Sequence, residues 1–160
     1  MFQFMVHKFC WAVFLAVFTT SMISAAESSP VPIRFKASIG GFTGTSYFVE
    51  LRDGTLTCTE SRKGIAKTVA STPTPTQWRE FRKILDDIKV WEWRAKYPND
   101  KGVFDGTQWS LDIAYADRAV KATGDNNYPD ATDTRIPEPT ETFNRYLEAI
   151  KKLTGGKTFR

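Results

Sequence analysis

The sequence predicts an α+β fold: an antiparallel sheet built from hairpins, with two amphipathic helices packed on one face. Three observations carry that expectation. Apolar residues alternate with polar ones in several short runs, a two-residue turn signal joins two of those runs, and two later segments repeat apolar residues at helical spacing.

The first run sets Ile33, Phe35, Ala37 and Ile39 against Arg34, Lys36 and Ser38, the period-2 pattern of a half-buried strand. Gly40-Gly41 and Gly44 break it. Tyr47, Val49 and Leu51 then alternate with Phe48, Glu50 and Arg52 up to Asp53-Gly54, a pair suited to a tight hairpin because both turn residues take positive φ. Pairing across that turn sets Leu51 opposite Leu56 and Val49 opposite Cys58. Gly64 precedes a further strand through Ile65 and Val69. Thr74 as cap, Pro75 as first helical residue and Gln77 three after the cap form a capping box. Trp78, Phe81, Ile84, Leu85 and Ile88 then fall within an arc of roughly 120° on the helix that follows.

Val90-Trp91-Glu92-Trp93 changes to period 2 and reads as a short extended stretch, followed by a loop over 97–102. Trp109, Leu111, Ile113 and Tyr115 alternate as a strand, and a turn at Asp117-Arg118 leads to another through Val120. Gly124 to Pro139 reads as a long polar loop. The second helix covers 140–153, with Phe143, Tyr146, Leu147, Ile150 and Leu153 on one side, and Gly155-Gly156 stops it. Trp78, Phe81, Leu85 and Ile88 share their spacing with Phe143, Tyr146, Ile150 and Leu153, a faint internal echo.

The order of elements, with Asp105-Gly106-Thr107-Gln108-Trp109 entering a strand and Gly124, Asn126, Asn127, Tyr128 and Pro129 leaving a hairpin, resembles a group of small exported bacterial proteins of uncharacterised function. The resemblance covers residues 45–155. It implies the strands, helix, hairpin and helix already read, and brings no activity and no site residues with it. The layered arrangement is also similar to exported inhibitor-type folds.

Residues 1–26 read as a secretory leader. His7 and Lys8 precede an apolar run over 9–18, and Ser24 and Ala26 provide the small side chains a signal peptidase needs. Ten apolar residues are too few for a spanning helix, which needs about 20. A tether over 27–30, one domain over 31–155 and a tail over 156–160 follow. The expected location is therefore periplasmic or extracellular, without stable membrane insertion after processing.

Removing the leader changes the available chemistry. The only histidine and all three methionines lie within it, and Cys58 becomes the single cysteine. That composition excludes a histidine-based triad, a histidine metal site and an internal disulfide, and no cofactor is implied. Cys58 reads as a small buried residue, since a reactive thiolate needs a nearby base or cation. Losing Lys8 takes the net charge from +4 to +3, with both signs interspersed. Nucleic acid, which needs a clustered basic face, is not an expected partner. The basic C-terminus complements the last helix dipole.

Asp125, Asn127, Asp130 and Asp133 share one segment but miss the alternating pattern of a calcium loop, and read as solvated. Glu92, Asp105 and Asp112 lie near Trp91, Trp93 and Trp109, so a small carboxylate-based hydrolase of envelope glycans is the catalytic alternative. The leading expectation is a non-catalytic binding module, inhibitory where its target is an enzyme. Trp91, Trp93, Tyr97, Trp109 and Tyr128 are its candidate contact residues, gathered with the 124–137 loop at one rim, and an envelope or extracellular protein or glycan is the expected partner.

Overall fold

The computed structural model describes residues 29–41, 44–99, 106–132, 138–157 and 159. The leader 1–26 and Asp133 lie outside them, as does Asp105. Strands β1 (Arg34–Gly41), β2 (Thr45–Arg52), β3 (Thr55–Arg62) and β4 (Ile65–Ser71) precede helix α1 (Pro75–Asp87). A 3-10 turn (Val90–Glu92), β5 (Lys96–Tyr97), β6 (Thr107–Ala114), β7 (Ala119–Asp125) and helix α2 (Glu141–Leu153) follow.

These strands form one mixed sheet in the order β4-β3-β2-β1-β6-β7-β5. That overturns the α+β class built from an antiparallel sheet of hairpins with two helices packed on it: the fold is mainly sheet, and it contains a parallel pair. Lys96 and Tyr97 run parallel to Thr123 and Gly124, a partnership no hairpin can make. The central ladder is not a hairpin either, because β1 pairs along its whole length with the distant β6, from Arg34↔Ala114 to Gly41↔Thr107.

Within this sheet the local signals act as their chemistry requires. Asp53 and Gly54 both take positive φ (48° and 74°), and the register sets Leu51 against Leu56 and Val49 against Cys58. Thr74 accepts from the Gln77 amide while the Gln77 side chain accepts from the Thr74 amide, so the capping box is closed. Phe35, Ala37 and Ile39 lie opposite Ile113, Leu111 and Trp109, which puts all six on one sheet face. There the Phe35 ring meets Trp78 and Phe81 of α1 (6.3 and 5.2 Å between ring centres), and the Trp109 ring meets Phe143 of α2 (4.9 Å).

Four local expectations change. Val90-Trp91-Glu92 is a 3-10 turn, because Lys89 takes a left-handed conformation after α1 and redirects the chain. Tyr97 belongs to a strand and not to a loop. The polar segment from Gly124 begins as the end of β7, and Asn126, Asn127 and Tyr128 are buried rather than solvated. Ile33, assigned to the buried phase of the first strand, is exposed.

Beyond α2 the chain keeps packing. Gly155 and Gly156 take positive φ, and Phe159 is 2% exposed, its ring 6.3 Å from that of Tyr47. Deleting a buried phenylalanine side chain costs about 3–5 kcal/mol. Phe159→Ala should therefore lower the urea midpoint by a stability loss of about 3 kcal/mol, although it lies in a segment whose sequence reads as a tail.

Candidate functional site

The five aromatic residues singled out from the sequence do not form an exposed rim. Tyr97, Trp109 and Tyr128 are buried, while Trp91 and Trp93 are half-buried. Four of them belong to one ring cluster: Trp93 and Tyr97 lie 5.9 and 5.5 Å from Trp109, and Tyr128 lies 4.7 Å from Phe143, which touches Trp109. Trp91 sits apart. Its indole donates to Asp86 (2.6 Å), its ring faces Tyr115, and the Arg118 guanidinium lies 5.5 Å from its centre. Together with Arg82, Asp86, Asp117 and Arg118 it ties the end of α1 to the turn between β6 and β7.

The Gly-Asp-Asn-Asn-Tyr segment works as a latch on this cluster. Gly124 has room for no side chain: a Cβ there would lie 2.2 Å from Trp109 Nε1 and 2.5 Å from the Asn127 carbonyl oxygen. The Trp109 indole donates to that carbonyl (2.9 Å), and Asn127 Nδ2 donates to the Pro98 carbonyl (2.9 Å). Asn126, with φ 48°, turns its side-chain oxygen to accept from the Thr107 amide (2.7 Å). One short segment thus joins the ends of β5, β6 and β7.

Above the latch, on the sheet face turned away from the helices, lies a groove of about 410 Å³. Its polar lining comes from neighbouring strands: Ser38 of β1, Gln108 and Ser110 of β6, Thr123 and Asp125 of β7, and Lys96 of β5. The register explains the gathering, since Ser38↔Ser110, Ser110↔Thr123 and Thr123↔Lys96 are lateral neighbours. Ser38 and Ser110 share a hydrogen bond (2.6 Å). Tyr97 and Trp109 also border the groove, so two of the expected aromatics lie behind its floor. A second depression of about 330 Å³, along Gly40, Ser46 and Gly106, shares Ser38 and Gln108 with it. Volumes of this size suit small-molecule sites.

The same face carries ion pairs further along. Glu50, buried, accepts from Lys36 Nζ (2.7 Å) and Arg52 Nε (2.8 Å), and Arg34 pairs with Asp112 (2.8 Å). The Lys36 ammonium and then the Arg52 guanidinium hold the Glu50 carboxyl below its ordinary range. Asp87 and Asp117 are held low as well, by Lys83 and by Arg82. These shifts run opposite to the raised pKa of a general acid.

Of the acids proposed for hydrolysis, Glu92 lies on the exposed side of the 3-10 turn and Asp112 is bound to Arg34. Of the acidic segment, Asp125 enters the groove, Asn127 holds Pro98, and Asp130 accepts from Thr142 (2.7 Å). Among the described residues there is no group of three or more His, Cys, Asp or Glu placed to hold a metal. The Cys58 thiol is buried, and desolvation pushes its pKa up.

No family model matches the chain. No curated protein matches it either. The site therefore stands on its own geometry. Sequence reasoning missed Ser38, Gln108, Ser110 and Thr123, which occupy the polar phase of strands that were read, and Lys96, whose strand was not read at all. The β1–β6, β6–β7 and β5–β7 registers bring them together.

Two outcomes follow. Gly124→Ala should destabilise the domain by about 1–3 kcal/mol, the range for overpacking, and change tryptophan emission, because the new methyl group meets the Trp109 indole. Because its folded pKa lies below 4.5, Glu50 favours folding above that pH, and its contribution is lost as pH falls through the folded value. Acid unfolding followed by circular dichroism should accordingly show a shallower acid limb for Glu50→Gln than for the native chain.

Proposed function

We propose that this chain is an exported, non-catalytic binding module that takes a glycan of the cell envelope or extracellular space in the groove on the open sheet face. The observation that carries the reading is the lining itself. Ser38, Ser110 and Thr123 offer hydroxyls, Gln108 an amide, and Lys96 and Asp125 one charge of each sign. Such groups include both donors and acceptors and sum to no net charge, which suits a neutral polyhydroxylated ligand. A strongly anionic partner would call for a one-signed field.

Other features agree with this reading. A site formed by three central strands and a short edge strand is held rigidly, so a ligand meets hydrogen-bonding groups that need little ordering. Hydrolysis would need a second carboxyl in the same cleft, and among the described lining residues Asp125 is the one carboxyl. No helix among the described residues is long and apolar enough to cross a membrane. Export rests on the leader read at 1–26.

An array of soluble envelope oligosaccharides, followed by titration with tryptophan fluorescence as the readout, tests the proposal. Gln108→Ala should weaken the best saccharide roughly fivefold, and Asp125→Ala roughly tenfold, from the ordinary worth of a neutral and a charge-assisted hydrogen bond. Both variants should melt like the native domain, because neither side chain is in the core. The proposal fails if no saccharide binds and a co-purified envelope protein instead shields Gln108 and Thr123 from hydrogen exchange.

A further inference from the structure

The sheet ends unequally. At one edge β5 offers only Lys96 and Tyr97. At the other, β4 runs for 7 residues, and among the described residues no strand pairs with its far side. Sheet proteins blunt such edges with proline, bulges, or charge aimed at an incoming strand. Neither proline nor a bulge protects β4, and charge is limited to one lysine. Its sequence holds no proline and one charge, Lys67, and its register with β3 runs unbroken from Leu56↔Ser71 to Arg62↔Ile65.

The direction of the free backbone groups follows from the turn. Lys63 and Gly64 both take positive φ (51° and 78°) and form a two-residue hairpin loop closed by Arg62 and Ile65. A pair closing such a loop exchanges both N–H···O=C bonds, and pairs of that kind recur at every second residue. Ile65, Lys67, Val69 and Ser71 therefore spend their backbone groups on β3. Ala66, Thr68 and Ala70 turn theirs outward, away from the molecule.

We infer that β4 is a self-association edge, pairing antiparallel with β4 of a second copy about a twofold axis at Thr68. In that register Thr68 lies opposite the partner's Thr68, and Ala66 lies opposite Ala70 of the partner subunit. Every outward-turned amide and carbonyl then finds its mate. An axis one residue away, at Lys67, would set lysine directly against lysine, which like-charge repulsion disfavours.

The side chains fit the same axis. On the open face only Ala66, Thr68 and Ala70 meet their counterparts, and none is large enough to obstruct the approach. On the other face Lys67 meets the partner's Val69, and Ile65 meets the partner's Ser71. Each lysine keeps its own Glu60 as lateral neighbour on β3, so no like charges stand directly opposed. Ile65, 77% exposed in the single chain, gains cover. The hydroxyl pair Thr59–Thr68 (2.9 Å) would meet its copy at the axis, giving an isologous interface that closes at two subunits.

Sedimentation equilibrium of the purified chain over a concentration series tests the inference. The native chain should show a reversible monomer–dimer equilibrium. Thr68→Pro removes an outward N–H that β3 does not use, a position where an edge strand tolerates proline, and should leave monomer with an unchanged melting curve. Thr68→Lys sets two ammonium groups across the axis and should do the same. If the proline variant loses its fold, the lysine variant alone decides. A native chain that stays monomeric throughout, or a dimer that survives in the folded variants, overturns the inference.

Discussion

The ladder between β1 and β6 is the constraint on which the rest of the structure depends. It brings together two stretches separated by most of the folded chain, and its register runs unbroken over all eight residues of β1. On one face it sets Phe35, Ala37 and Ile39 against Ile113, Leu111 and Trp109, which α1 and α2 cover. On the other face it aligns Lys36 with Asp112, Ser38 with Ser110 and Gly40 with Gln108. A slip of one residue would exchange the two faces, burying lysine and serine and exposing phenylalanine. Core and groove are thus two readings of one register.

The aromatic residues illustrate how burial redirects a functional signal. Tryptophans and tyrosines at element ends suggest a contact surface, yet Trp109 touches Trp93, Tyr97 and Phe143 and donates its N–H to the Asn127 carbonyl. A ring so enclosed, with its polar atom satisfied, stabilises a fold and stiffens what lies beside it. Here it stiffens the end of the sheet where β5, β6 and β7 meet. The latch residues Gly124, Asn126 and Asn127 serve the same end through space, backbone conformation and a hydrogen bond from the Asn127 side-chain amide to the Pro98 carbonyl.

Much of the local structure was legible because it depends on nearby residues. Asp53-Gly54 dictates its own hairpin, Thr74-Pro75-Gln77 its own cap, and the helical stripes face the core with Trp78, Phe81 and Leu85 and with Phe143, Tyr146 and Ile150. What escaped depends on distance. Lys96 and Tyr97 carry no strand signal of their own, since a two-residue parallel partner exists only because Thr123 and Gly124 are there to receive it. That one pair makes the sheet mixed and removes the antiparallel class. Polarity misled in a related way: Asn126 and Asn127 resemble loop residues, but both are buried, and each spends one side-chain atom on a backbone group while Asn126 Nδ2 and Asn127 Oδ1 find no partner among the described residues.

The open face itself divides into two regions with different chemical consequences. Toward one end Arg34, Lys36, Glu50, Arg52 and Asp112 satisfy one another as ion pairs. Charges paired in this way have little left to offer a ligand, and parting them would leave Glu50, buried as it is, without its partners. Toward the other end Ser38, Ser110, Thr123 and Gln108 carry no charge, and the bond between Ser38 and Ser110 uses only part of what two hydroxyls can donate and accept. Spare hydrogen-bonding capacity without net charge therefore concentrates where Gly40 adds no side chain to the open face and β5 stops short. The glycan site proposed for the groove thus lies where a polar ligand would part none of the sheet's ion pairs.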